Sequence, residues 1–143
     1  MSVAFRNVEV HGPVQEWPYE AIVTVIERGT IGDWAMLSRA IRDDPWGPVS
    51  RQVEEYLSYE APYGVAPLLT RAIASARKRR EAEEKSEVAR QVRDCIDRSG
   101  MTITEFAERV GTSRSRLSTY ASGQVTPSAA MLLRLERASR LVR

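Results

Sequence analysis

The sequence predicts an all-α protein with a small N-terminal helical domain, a long connecting helix and a C-terminal group of short helices. Apolar residues recur at the spacing of amphipathic helices through most of the 143 residues. Glycine and proline interrupt this pattern at intervals that suit short helices. Thr102 and Glu105 form a Thr-x-x-Glu pattern, which marks a further helix start because its side chains satisfy free backbone N–H groups.

Three helices are predicted in the N-terminal domain, after a segment with turn and strand-like character at residues 1–15. The first begins at Trp17 or Pro18, and Gly29 ends it after about residue 28. The other two span about 31–43 and 48–59, on either side of the breaker-rich turn DDPWGP. All three tryptophans lie in this domain, and we expect at least two of them in its core.

A long helix is predicted to open at Pro67 and to carry an apolar face as far as Ala76. Residues 77–87, RKRREAEEKSE, have almost nothing to bury but consist of helix formers with oppositely charged neighbours. We interpret them as an exposed helical connector; a flexible charged linker is the alternative. The predicted domains are therefore 1–76 for dimerisation or partner binding, 77–87 for the connector, and 88–143 for the C-terminal domain.

Two short helices joined by a tight turn follow Thr102. Gly111 ends the first, because glycine adopts the left-handed conformation of a sharp turn without a Cβ clash. Thr112 or Ser113 caps the second, which Gly123 closes. Pro127 fits the first turn of a third helix. The inward positions of the first two helices are apolar or aromatic: Phe106, Ala107, Val110, Leu117 and Tyr120.

The outer face of the second helix carries no acidic residue, and each of its side chains can donate hydrogen bonds: Arg114, Ser115, Arg116, Ser118 and Thr119. Base edges in the major groove and the neighbouring phosphates require such groups. A small helical bundle with a polar surface is the alternative interpretation. The combination of cap, turn glycines and inward residues at fitting offsets favours DNA binding.

Residues 86–140 resemble the Cro/C1-type (Xre family) helix-turn-helix domain, a five-helix all-α fold that binds DNA. Apolar positions of the family's first three helices match this sequence at Val88, Val92, Cys95, Met101, Phe106, Ala107, Val110 and Leu117, with Thr102, Ser113 and the two turn glycines. The sequence departs from the family at Ile103, where glutamine is frequent, and at Ala121–Ser122, where Glu-Asn is frequent.

The resemblance implies which residues contact DNA. Arg114, Ser115 and Thr119 fall where family members touch base edges, and Ser118 lies beside them. Arg116 and Ser122 fall near phosphates. Thr102 and Ser113 begin the two helices whose N-terminal ends face the DNA, which completes the predicted site.

Charge is divided unevenly along the chain. Residues 1–70 hold 5 Lys/Arg and 10 Asp/Glu, whereas residues 71–143 hold 16 and 9. A basic C-terminal half suits DNA binding, since phosphate neutralisation drives most non-specific affinity. The acidic half is a poor second DNA-binding domain, so dimerisation or partner capture is expected there.

No catalytic constellation is present in the sequence. The lone His11 is expected at the surface, and the lone Cys95 on a core face, so neither a Cys–His pair nor a metal site is expected. There is no phosphate loop or dinucleotide turn, and no cofactor is predicted. Since no catalytic constellation is present, the sequence predicts a protein that is not an enzyme. The absence of a membrane-length apolar run and of a signal peptide predicts a cytoplasmic protein.

These observations predict a sequence-specific double-stranded DNA-binding transcriptional regulator, such as a repressor. The family resemblance implies a homodimer on paired half-sites, because one reading domain contacts few base pairs. The alternative is an antitoxin-type protein, whose N-terminal domain sequesters a partner toxin while the DNA-binding domain autoregulates.

Overall fold

The structure of the chain, a computed structural model, describes residues 12–140 in full and the backbone of residues 3–5 and 8–10. The chain divides into two compact units, Met1–Arg80 and Glu81–Arg143. Helices dominate both units, which confirms the all-α prediction. The predicted surface residue His11 lies outside the described residues.

The N-terminal unit begins with a small antiparallel hairpin of β1 (Val3–Phe5) and β2 (Val8–Val10), in which Ala4 pairs with Glu9. A 3₁₀ turn at Val14–Glu16 follows the hairpin. The helices are α1 (Tyr19–Arg28), α2 (Ile31–Asp43), α3 (Pro48–Tyr59) and the first part of α4 (Val65–Ser99). The predicted bounds of α2 and α3 are confirmed.

Two helix starts differ from the sequence prediction. Pro18 is the N-cap of α1, so the helix proper begins one residue later. The long helix α4 begins at Val65, two residues before Pro67. Proline is tolerated there because the first-turn N–H groups of a helix have no intrahelical partner.

The tryptophans of this unit differ in burial. Trp17 is 3% exposed and its indole N–H donates to the Gly12 carbonyl at 3.2 Å. Trp34 packs against the core and donates to the Val25 carbonyl at 2.8 Å. Trp46 is exposed, with the Arg77 guanidinium 5.8 Å from its ring centre. The fully buried aliphatic residues around them include Ile22, Val25, Leu37, Ile41, Val49, Val53 and Leu69.

The helix α4 runs without a break through residues 77–87. Near the end of the N-terminal unit, Arg77 donates two hydrogen bonds to the Glu54 carboxylate, at 2.9 and 2.6 Å. Its Nε also donates to the Pro45 carbonyl at 3.0 Å. Residues 81–87 are exposed. Arg77 therefore ties α4 to α3 and to the turn before it.

The C-terminal unit contains the end of α4, α5 (Ile103–Val110), α6 (Arg114–Ser122) and α7 (Ala129–Arg140). The sequence predicted five helices here, and the described residues contain these four helical segments. The core is formed by Val92, Cys95, Phe106, Ala107, Val110, Leu117, Tyr120, Leu135 and Ala138. Among the described residues, no helix is long and apolar enough to cross a membrane.

The start of α7 corrects one prediction. The Ser128 hydroxyl accepts a hydrogen bond from the Met131 N–H at 3.0 Å, which is the geometry of an N-cap. Pro127 is buried just before this cap and is not part of the first turn. The expectation for Pro127 was wrong because the serine hydroxyl, one residue later, satisfies the free N–H groups.

Cys95 is fully buried in the core of the C-terminal unit. Burial, with the nearby charge of Glu136, raises the pKa of its thiol to about 11. The thiolate is the reactive form, so this cysteine is chemically inert in the folded protein.

We predict that Cys95 resists a disulfide reagent such as dithionitrobenzoate in the native protein at pH 8. Raising the thiol pKa to about 11 lowers the thiolate fraction at pH 8 about 100-fold, and burial slows the reaction further. The absorbance of the released thiol should appear slowly in buffer and rapidly in denaturing urea. Equal rates under the two conditions would contradict the buried position.

Candidate nucleic-acid interface

The turn between α5 and α6 is short and has a defined geometry. Gly111 adopts the left-handed conformation, with φ 77° and ψ 37°. The Thr112 N–H donates to the Ala107 carbonyl at 2.9 Å, and the Gly111 N–H donates to the Glu108 carbonyl at 3.2 Å. This is a Schellman ending, which satisfies carbonyls at the end of α5. It lets α6 begin three residues after Gly111.

The predicted capping box at the start of α5 is formed in one half. The Thr102 hydroxyl accepts from the Glu105 N–H at 3.2 Å, as expected of an N-cap. The Glu105 carboxylate accepts from the Thr102 hydroxyl at 3.0 Å and not from the Thr102 N–H. Consequently the Thr102 hydroxyl has no proton left for a phosphate, and a carboxylate lies at this helix start.

The second helix, α6, starts at a serine cap. The Ser113 hydroxyl accepts from the Arg116 N–H at 3.0 Å, and its own proton remains available for a ligand. Leu117 and Tyr120 are buried against the core, as the sequence predicted. The opposite face of α6 is thereby left to solvent.

The structure leaves most of the predicted contact residues of α6 exposed and unengaged. Arg114, Ser115, Arg116 and Ser118 are exposed. In the range 12–140, the side chains of these four residues form no hydrogen bond or ion pair. Their donor groups are therefore available to a ligand without the loss of an internal bond.

Thr119 and Ser122 lie on the same face of α6, but their hydroxyl groups already donate hydrogen bonds within the helix. The Thr119 hydroxyl donates to the Arg116 carbonyl at 2.6 Å. The Ser122 hydroxyl donates to the Thr119 carbonyl at 3.1 Å and accepts from the Gln124 N–H at 3.4 Å. Both protons are engaged, so these residues offer a ligand an acceptor oxygen and, for Thr119, a methyl group.

The electrostatic character of the turn and α6 is positive. Residues 109–135 contain four arginines and no Asp or Glu. Glu105 and Glu108, both on α5, are the nearest preceding carboxylates in sequence. In the range 12–140, His, Cys, Asp and Glu form no group that could hold a metal ion. The surface suits a polyanion in direct contact with side chains and backbone N–H groups.

Two arginines that the sequence analysis did not select position these helices. Arg93 of α4 donates to the Ala121 carbonyl at 2.6 Å, in the last turn of α6. Arg134 of α7 donates to the Val110 carbonyl at 3.3 Å, at the end of α5. A cation at a helix C-terminus is favourable for both helices. No short-range pattern identifies these partners, since 28 and 24 residues separate them.

Comparison with known families agrees with this geometry. Residues 90–138 match the family described as helix-turn-helix. This match agrees with the Cro/C1-type helix-turn-helix domain that the sequence predicted in the C-terminal part of the chain. The match covers about a third of the chain and supports a DNA-binding regulator in general terms. No curated protein and no solved structure matches the chain.

We predict that Gly111→Ala destabilises the helix-turn-helix domain by about 1–2 kcal/mol, the cost of a left-handed conformation for a residue with a Cβ. A Cβ at this position would meet no atom within 4 Å, so the cost comes from the backbone alone. Gly111→Asn is the matched control and should cost less, because asparagine tolerates this conformation. Urea unfolding of the three proteins measures the difference. Equal stability of the alanine and wild-type proteins would contradict the turn geometry.

Proposed function

We propose that the chain is a sequence-specific double-stranded DNA-binding transcriptional regulator. In this proposal α6 lies in the major groove with its N-terminal end towards the bases, and α5 crosses the sugar–phosphate backbone. The observation that supports it most strongly is the exposed, carboxylate-free face of α6, where the guanidinium groups of Arg114 and Arg116 have no partner among residues 12–140. Such a surface attracts an anionic ligand and repels a cationic one, because its two positive charges are not neutralised by carboxylates.

The two arginines are assigned different roles. Arg114 occupies the first position of α6, and its planar guanidinium can donate to guanine O6 and N7 together. Arg116 lies two residues on, about 200° around the helix, so the two side chains cannot enter the groove alike. We therefore assign Arg114 to a base edge and Arg116 to a phosphate.

The remaining predicted residues form two groups, according to whether the side-chain hydroxyl still has a proton to donate. Ser113, Ser115 and Ser118 keep a hydroxyl proton, so we propose that Ser115 and Ser118 donate to bases and Ser113 to a phosphate. Thr119 is proposed to read DNA through its methyl group or oxygen, for example against a thymine methyl. Ser122 is proposed to lie near a phosphate. Thr102 can contribute only if Glu105 releases its hydroxyl.

The N-terminal unit is proposed to act in assembly. A homodimer would join two reading heads and so lengthen the recognised site. The antitoxin-type role, in which this unit captures a protein partner in the cytoplasm, is the second candidate. Exposed aromatic and aliphatic residues on this unit favour a protein contact: Ile31, Tyr59, Tyr63 and Leu68.

We predict that the full chain binds duplex DNA with an affinity that falls steeply as salt rises, because bound arginines release phosphate counterions. Fluorescence anisotropy of a labelled duplex library, titrated at several salt concentrations, measures the slope. Sites enriched from the library should bind more tightly than random duplexes. Absence of duplex binding at low salt, or equal affinity for every sequence, would remove the regulator proposal.

A second prediction separates the two arginines of α6. Arg114→Ala should cost about 1–3 kcal/mol on the preferred site and flatten discrimination at one base pair. Arg116→Ala should weaken all sequences similarly and make the salt slope shallower by about one.

The measurement is a binding titration of both variants against the preferred site and its single-base variants, at several salt concentrations. Arg137→Ala, which alters an exposed arginine of α7, is the control for net charge. Relaxed specificity in the Arg116 variant with a uniform loss in the Arg114 variant would mean that the register of α6 is misassigned. If neither change mattered, α6 would not be the reading helix.

A further inference from the structure

The N-terminal unit contains a hollow of about 450 Å³ next to the turn between α3 and α4. We name it the acidic hollow. The side chains that decide its chemistry are two carboxylates, three aromatic rings and one aliphatic group: Glu27, Glu60, Trp34, Tyr56, Tyr63 and Val65. These residues come from α1, α2, α3, the following turn and the start of α4.

The charge around the hollow has one sign. Glu27 and Glu60 both line it, whereas no lysine or arginine does. Neither carboxylate forms an ion pair with a side chain in residues 12–140. Burial, together with the charges of these two carboxylates, raises the pKa of the Tyr56 hydroxyl, so both lie close enough to act on it. Two unpaired negative charges thus face the same small space.

The backbone adds to this negative potential. The hollow is lined by the last turn of α1, through Ile26 and Glu27, and by the end of α3, through Tyr56 and Glu60. A helix C-terminus carries about half a negative elementary charge, and cations are stabilised there. Two helix ends and two carboxylates therefore favour a cation in the same place.

The aromatic residues provide surfaces that a cation also favours. The indole N–H of Trp34 is engaged with the Val25 carbonyl at 2.8 Å, which holds the ring in position. Tyr56 is 6% exposed, and Tyr63 is fully exposed at the rim. Guanidinium and ammonium groups are attracted to aromatic faces within about 6 Å. An arginine or lysine side chain combines a cationic head with an apolar stem that suits such a lining.

We propose that the acidic hollow binds an arginine or lysine side chain presented by a protein partner. A second and larger hollow, of about 900 Å³, shares Tyr63 with the acidic hollow and is lined also by Leu57, Pro67, Arg71 and Ala74. The combined surface is larger than a single small cation needs, which favours a protein segment. The lining of the acidic hollow has two carboxylates and no basic side chain, so a cationic side chain of a partner is complementary to it. This inference rests on the partner-binding role proposed above and is independent of DNA binding.

The test uses the full chain labelled with ¹⁵N and the peptide acetyl-Gly-Leu-Arg-Leu-Gly-amide. The neutral control peptide has citrulline in place of arginine, which keeps the shape and removes the charge. We expect the arginine peptide to shift the indole N–H resonance of Trp34 and to leave that of Trp17 in place. The citrulline peptide should bind about tenfold more weakly, as expected for the loss of a cation–π and ionic contact.

Protein variants locate the site. Glu27→Gln combined with Glu60→Gln, and separately Tyr63→Ala, should each weaken the arginine peptide severalfold. Glu55→Gln changes an exposed carboxylate of α3 that does not line the hollow, and it should have no effect. The unchanged Trp17 resonance reports that each variant is folded.

Several outcomes would overturn the proposal. One is equal binding of the arginine and citrulline peptides. Another is undiminished binding of the arginine peptide by the double glutamine variant. A third is a shift of the Trp46 indole N–H resonance in place of that of Trp34. Self-association of the full chain that Tyr63→Ala abolishes would assign the surface to a second copy and also overturn it. The duplex titration described above decides the DNA-binding proposal separately, so the two failures are distinguishable.

Discussion

The left-handed backbone at Gly111 is the constraint on which the C-terminal unit depends. With φ at 77°, the chain leaves α5 and starts α6 within three residues, so that Phe106 and Leu117 enter one core. A short turn of this kind fixes which side of α6 is buried. Most of the polar residues that α6 offers to a ligand are exposed because Leu117 and Tyr120 occupy the buried side of the helix.

Bonds from side chains to helix carbonyls complete this arrangement. Arg93 and Arg134 reach the ends of α6 and α5 from two other helices, where their positive charge is most favourable. Hydrogen bonds within α6 also sort its hydroxyls into two classes. Thr119 and Ser122 have engaged their protons with backbone carbonyls, whereas Ser115 and Ser118 have not. The chemistry of the outer face thus depends on internal bonds as well as on residue type.

The N-terminal unit contains a local concentration of negative charge at the acidic hollow. Its aromatic residues and its carboxylates converge where the ends of α1 and α3 approach the start of α4. Arg77, bonded to Glu54 and to the Pro45 carbonyl, ties α4 to this unit in a different place. The guanidinium of Arg77 therefore serves to hold α4 in place, and no basic side chain lines the acidic hollow. The basic face of α6 and the acidic hollow thus belong to separate units of one chain.

Local chemistry determined much of this protein. Periodicity and breaker residues predicted the bounds of α2 and α3, because helix propensity, caps and glycine stops act within a few residues. The same local rules predicted the turn at Gly111, the cap at Ser113 and the inward positions of α6. They failed at Pro127, where the neighbouring Ser128 competes for the same role.

Tertiary structure alone decided the contacts between residues distant in sequence. Arg93 with Ala121, and Glu27 with Glu60 around Tyr56, are brought together by packing of whole helices, which no local pattern encodes. At the start of α5, the local side-chain geometry decided that the Thr102 hydroxyl donates to the Glu105 carboxylate, in place of the reciprocal capping box that the sequence predicted. Sequence reports which groups a residue carries. The fold determines which of those groups are already bonded, because hydrogen bonds and burial depend on positions in space.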